Sequence, residues 1–185
     1  MKDRKFSEGV TLLEMMVVVT ILAILSAIAI PAMKRWIEDV TAGALINSLL
    51  TDLQLARSEA IRRGHPVVVC KSSGGQCSMV GSWEQGWLLF ADANNNAARD
   101  AGEEIIRQTW IEPRGWLLLG NGPVRSYVSY QPLGQTRLIN GAFQAGTLTV
   151  CLPFRPNATL RRIVINSRGR PRTDRVDRST ARCDG

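Results

Sequence analysis

The apolar run from Val10 to Ile30 constrains this chain more than any other stretch. It consists of Leu, Met, Val, Ile and Ala and is broken only by Thr11, Glu14, Thr20 and Ser26. As a helix rising about 1.5 Å per residue it would reach roughly 30 Å, the thickness of a bilayer's hydrocarbon. It can span a membrane. Lys2, Arg4 and Lys5 precede it and favour a cytoplasmic N-terminus with the remainder sent outward, a bias that Lys34 and Arg35 on the far side reduce. Glu14 is the anomaly. A carboxylate costs about 2.5 to 3.5 kcal/mol at the centre of a spanning helix and less near an interface, so Glu14 either snorkels to the membrane surface or is rewarded by a partner.

A short basic leader, then Gly9, then Val10 at a junction, then Glu14 in the fifth place after the glycine resembles the type IV prepilin signature. The resemblance implies that a membrane aspartyl prepilin peptidase cuts between Gly9 and Val10 and methylates the new N-terminus. It further implies that Glu14 pairs with the free amine of a neighbouring subunit inside a filament. The family usually carries phenylalanine where this chain has Val10. A rival reading takes Ala27-Ile28-Ala29 as the small-x-small site of an ordinary secretory signal, which would release a soluble periplasmic protein. Against it stand the length of the apolar core, its interruption by Glu14, and the helical pattern that continues past Pro31.

The 185 residues are 45% hydrophobic, part of that in the anchor, which leaves one domain with a modest core. A formal charge of +7 implies attraction to anionic surfaces, whether nucleic acid, lipid headgroups or polysaccharide. Four cysteines in an exported domain point to two disulfides. Cys70 with Cys77 and Cys151 with Cys183 are favoured, since each pair closes a Gly- or Arg-rich excursion. Zinc is the alternative, although the Cys-x6-Cys spacing is not that of a zinc knuckle.

Pro31 predicts a kink near Ile30 without ending the helix. Beyond it Val40, Leu45, Leu49, Leu53, Ala56 and Ala60 recur at helical spacing, with Arg35, Glu38, Asp52, Arg57, Glu59 and Arg63 between them. This is an amphipathic helix ending near Gly64. Short β-branched or aromatic runs follow at Val67 to Cys70, Gly86 to Ala91, Glu104 to Trp110, Trp116 to Leu119, Tyr127 to Gln131, Thr147 to Leu152 and Arg161 to Asn166. The expected class is α+β, a long helix packed on an antiparallel β domain. The chain then divides into a leader (1–9), a membrane or filament-core helix (10–31), an amphipathic helix (32–64) and a β-rich domain with an arginine-rich tail (65–185).

Leu53-x-x-Ala56-Arg57-Ser58-Glu59-Ala60-Ile61, a cysteine soon after, Gly86-Trp87-x-x-Phe90-x-Asp92, and a late cysteine-bearing strand followed by Gly169-Arg170-x-Arg172 resemble the FimT/GspH group of minor pilins and pseudopilins. The resemblance covers nearly the whole chain and implies the type IV pilin-like fold. Gly86, Trp87 and Phe90 are otherwise explained by strand and core packing.

Nothing in the chain assembles an enzyme. His65, the single histidine, stands beside Pro66 at a helix-to-strand turn, and no nucleophile elbow, phosphate loop or paired-carboxylate motif is present, so neither catalysis nor a cofactor is expected. Asp92, Asn94, Asn96, Asp100 and Glu103 reproduce the ligand spacing of a calcium loop. The place that loop gives to glycine is Ala97, and a strand rather than a helix precedes it. Asn and Asp equally make ordinary hairpin turns by bonding their own backbone.

From Arg161 onward eight arginines stand against three acids, an excess of five positive charges with no lysine. Guanidinium offers phosphate oxygens a planar fork that ammonium lacks. Gly169 and Pro171 interleave with Arg168, Arg170 and Arg172, restricting the backbone to a turn from which the side chains could track a phosphate backbone. A Cys151–Cys183 bond would hold this tail as a closed loop, and a preordered loop loses less entropy on binding. A solvated tail with no binding role is the plain alternative. In FimT-type minor pilins a Gly-Arg-x-Arg motif is associated with DNA capture, which implies Arg170 and Arg172 here, with Arg168 and Arg175 flanking. The tail lacks aromatic residues for stacking single-stranded bases, so duplex is the expected form.

The resemblance thus implies a single-pass inner-membrane protein with a periplasmic C-terminal domain, at the cell surface when in a pilus. Its partners would be other pilin and minor pilin subunits, the prepilin peptidase and double-stranded DNA taken up in natural transformation. The alternative is a structural subunit like FimU or GspH, serving pilus assembly or a type II secretion pseudopilus.

Overall fold

A computed structural model describes residues 10–111, 115–151, 159–177 and 183. The leader lies outside them. The chain forms two compact units, Met1–Thr41 and Ala42–Gly185, with one helix, α1 (Leu12–Arg63), contributing to each.

In the first unit Thr11 starts the helix. Its Oγ1 accepts the Glu14 backbone N–H at 3.3 Å and its carbonyl accepts that of Met15 at 3.2 Å. Thr11-Leu12-Leu13-Glu14 is therefore an N-cap sequence with its acid in the first turn, where the positive end of the helix dipole favours a carboxylate. Pro31 lies inside the helix. The apolar side chains from Val10 to Ile30 are exposed, and α1 is long and apolar enough to cross a membrane. Val40, assigned from sequence to the buried stripe, is 52% exposed.

In the second unit Ala42, Gly43, Leu45, Ile46, Leu49, Asp52, Leu53, Ala56 and Ala60 form the buried stripe of α1. Among the described residues nine strands follow: β1 (Val67–Ser73), β2 (Gln76–Cys77), β3 (Gly86–Ala91), β4 (Ile105–Trp110), β5 (Leu117–Gly120), β6 (Tyr127–Tyr130), β7 (Gly146–Cys151), β8 (Thr159–Ile165) and β9 (Pro171–Asp177). They make two antiparallel sheets. One runs β2-β1-β3-β4 with β6 also on β1, and the other β5-β7-β8-β9. The β2 and β9 strands were not expected from the sequence. The second matters more, because Pro171–Asp177 of the arginine tail is a paired strand and not part of a loop closed only by the Cys151–Cys183 bond.

The main core joins Leu45, Leu49 and Leu53 of α1 to Val67, Val69, Trp87 and Leu89 of one sheet and to Leu118, Leu148, Ile163 and Ile165 of the other. Each such side chain contributes about 1.5 to 3 kcal/mol by leaving water. Val68, Cys70, Leu88 and Phe90 build a second cluster, with Ala97 and Tyr127 packed against it. Since β1 and β3 are buried on both faces, they read as continuous apolar runs and not as alternating ones. Disulfides join Cys70 to Cys77, across the β1–β2 hairpin, and Cys151 to Cys183. No thiol is left free, which overturns the zinc alternative.

Candidate nucleic-acid interface

Asn166 shapes the turn between β8 and β9. Its Oδ1 accepts the backbone N–H groups of Arg168 (3.1 Å) and Arg170 (3.0 Å), and its carbonyl accepts that of Gly169 (2.9 Å). Gly169 has φ +72° and is buried; a Cβ there would stand 2.4 Å from the Gly134 carbonyl oxygen. No other residue fits both that conformation and that contact. The same Gly134 oxygen accepts Arg57 Nε at 3.0 Å, so the arginine of the helix run and the glycine of the Gly-Arg-x-Arg motif meet at one backbone position.

Pairing of β9 with β8 then sets where each arginine points. Arg172 lies opposite Val164, Asp174 opposite Arg162 and Arg175 opposite Arg161. Side chains alternate along a strand, and Ile163 and Ile165 belong to the core, so Arg161 and Arg175 share the core-side face while Arg162, Arg172 and Asp174 share the other. Arg168, Arg170, Arg172 and Arg175 are all exposed. They do not form one track, because Arg172 and Arg175 project from opposite faces of β9. Arg162 Nη2 meets Asp174 Oδ2 at 2.6 Å, and this hydrogen bond holds the Asp174 carboxyl below its ordinary range. Arg161, half-buried, packs its guanidinium against Gly43 of α1. Among the described residues no side-chain hydrogen bond is seen for Arg168, Arg170 or Arg172, although the Arg172 charge also helps to lower the Asp174 carboxyl. Arg178 and Arg182 lie outside those residues.

The loop with calcium-like spacing closes on itself. The Asp92 carboxylate accepts the N–H groups of Asn96 (3.1 Å) and Ala97 (2.9 Å), Asn96 Oδ1 accepts that of Ala98 (2.7 Å), and Asn94 Oδ1 that of Asn96 (3.2 Å). Asp100 Oδ2 takes both side-chain amides, from Asn94 at 2.7 Å and Asn96 at 2.8 Å, while Glu103 accepts the N–H groups of Ala93 and Asp100 at 2.9 Å each. Desolvation pushes the buried Asp92 carboxyl up. Among the described residues no three His, Cys, Asp or Glu side chains converge to hold a metal. His65 is exposed at the turn after α1.

The remaining motifs are structural. Gly86 has φ +114°, and a Cβ on it would lie 2.3 Å from the Thr109 carbonyl oxygen of β4. Its neighbour Trp87 donates its indole N–H to Asp52 at 2.7 Å. Asp52, placed from sequence among the polar positions of the helix, is only 2% exposed and also accepts from Arg107 Nη1 (2.8 Å) and Thr109 Oγ1 (3.0 Å). The signal was present, since Asp52 stands three residues after Leu49 on the apolar stripe. Ala56 and Ala60 let the helix approach the sheets, and Glu59 between them binds Arg62 and Arg63, the latter reaching on to Glu104 at 2.6 Å. Of the processing and assembly positions, Val10 and Glu14 are exposed at the start of the helix and Gly9 lies outside the described residues.

A helix that is apolar at its N-terminal end and packs its later turns on antiparallel sheets is the plan of a type IV pilin-like subunit. Residues 45–169 match the family described as Type II transport protein GspH, and residues 4–30 match the prokaryotic N-terminal methylation motif. The chain belongs to the GspH family. It is 32% identical over 166 residues to the pilin-like protein PilA1 of Thermus thermophilus, covering 90% of this chain and 97% of that one. With the type IV major fimbrial protein FimA of Dichelobacter nodosus it shares 30% identity over 166 residues, covering 84% and 96%. The crystal structure of the minor pilin FimU of Pseudomonas aeruginosa PAO1 superposes with a TM-score of 0.53 at 16% identity, over 76% of this chain and 97% of that one, a likeness of fold alone.

Proposed function

We propose that this GspH-family chain is a minor pilin of a type IV pilus that holds extracellular double-stranded DNA, without sequence preference, for uptake in natural transformation. In this reading the prepilin peptidase cuts between Gly9 and Val10 and methylates the new terminus. The apolar helix anchors the subunit in the inner membrane with its C-terminal domain in the periplasm. Glu14 pairs with the amine of a neighbouring subunit during assembly, and the subunit reaches the cell surface within the pilus.

One observation supports the DNA contact: Arg168, Arg170 and Arg172 stand exposed on a turn held by Asn166 and seated through Gly169. Three guanidinium groups on an ordered backbone suit bidentate contact with phosphate oxygens. Contacts limited to the backbone carry no base information. The slope of log affinity against log salt should be roughly −2.7, and R170A with R172A should flatten it by about 1.8. Arg175→Ala, on the other face, should leave the slope in place. A slope unchanged by the double substitution would remove the site.

The match to GspH over most of the second unit favours a second reading, a structural subunit for pilus assembly or a type II secretion pseudopilus. Deletion of the gene separates the two. Loss of transformation with pili intact supports DNA capture, and loss of the pili themselves supports the structural role.

A further inference from the structure

Lys71 is the only lysine after Lys34, in a chain whose other late cations are arginines and one histidine. It lies in β1 opposite Trp87 of β3 and is only 2% exposed. Its side chain lines a cavity of about 380 Å³ whose other walls include Met79, Trp83, Leu118, Leu119 and Arg125. One ammonium N–H donates to the Gly81 carbonyl at 2.7 Å, and among the described residues the other two have no partner. Trp83 Nε1 donates to the Arg125 carbonyl at 3.1 Å, which fixes the backbone that carries the second cation.

Two positive groups line this space. Burial, with repulsion from Arg125, depresses the Lys71 ammonium, while the Glu84 charge acts the other way. The Glu84 carboxylate is itself engaged by the Leu118 backbone N–H at 3.0 Å and does not line the cavity. A buried cation with unused donors is costly until an anion arrives. The volume is near the lower end, about 300 Å³, of small-molecule sites, and the Met79, Leu118 and Leu119 walls are apolar. That combination suits an acid with a short hydrocarbon body better than a bare inorganic ion.

We propose that this cavity binds an organic carboxylate, its oxygens held between the Lys71 ammonium and the Arg125 guanidinium and its apolar body covered by Met79, Leu118 and Leu119. The test uses the full chain in neutral detergent micelles, labelled with carbon-13 at lysine Cε and titrated with butyrate or inorganic phosphate. Butyrate should move the Lys71 resonance saturably, at lower concentration than phosphate, and leave Lys34 in place. Arg125→Gln, at an exposed position, should raise the butyrate midpoint on the order of tenfold. Lys71→Met identifies the resonance where that variant folds. Equal movement of Lys71 and Lys34, saturation by phosphate at the lower concentration, or an Arg125→Gln titration matching the parent would each overturn the assignment.

Discussion

The indole N–H of Trp87 donates to the Asp52 carboxylate at 2.7 Å, tying α1 to β3 through an acid that is almost fully buried. Arg107 and Thr109 of β4 bind the same carboxylate, so one acidic side chain joins the helix to two strands of the first sheet.

Replacing Asp52 by Ala leaves the buried Trp87 indole N–H without its acceptor while Arg107, half-exposed, regains water, so a cost of about 1 to 3 kcal/mol is expected. Trp87→Phe keeps most of the packing and removes a single donor to a charged group, so about 1.5 to 3 kcal/mol is expected. Chemical denaturation of the full chain in detergent, read by circular dichroism, measures both. Equal midpoints for Asp52→Ala and the parent would show that the network contributes nothing net.

Gly169→Ala removes no charge, yet it should weaken DNA binding. The added Cβ meets the Gly134 oxygen, and φ at this position is positive. The turn must shift, carrying Arg168 and Arg170 with it. Filter binding at fixed salt should show lower affinity with the net charge unchanged, an outcome that a merely electrostatic tail would not produce.

Asp174→Asn frees Arg162 on the face that carries Arg172. If that face meets phosphates, affinity should rise and the salt slope steepen by up to about 0.9. Affinity unchanged across a salt series would place the contact on the turn alone.

Glu59 governs part of the acid response. Hydrogen bonds from Arg62 and Arg63 lower its carboxyl from 4.5 to about 2 in the folded chain. The native state therefore holds this proton less readily than the unfolded one, and the contribution to stability is complete above pH 4.5 and lost as pH falls toward 2. Thermal midpoints measured across that window should fall less steeply for Glu59→Gln than for the parent.

Local pattern carried much of this architecture. The apolar run, the helical recurrence of Leu45, Leu49 and Leu53, and the continuous runs of β1 and β3 are visible because period and length are properties of neighbours in the chain. The β9 strand has no such local signature. Pro171-Arg-Thr-Asp-Arg-Val-Asp has one strongly apolar residue, and a charged edge strand owes its form to the strand beside it. An acid on an apolar stripe, as Asp52 is, reads as a break in that stripe until its partners from β3 and β4 are in place.

By itself the sequence determined an apolar helix with an acid in its first turn, an amphipathic continuation, a β-rich remainder and a cluster of guanidinium groups. All of these follow from composition and spacing over a few residues. Only the tertiary structure decided that Asp52 lies inside, that Gly169 seats the turn on Gly134, and that Arg172 and Arg175 face opposite ways. Those features depend on which residues lie across from one another in space, and strand register and helix docking are set by partners far apart along the chain.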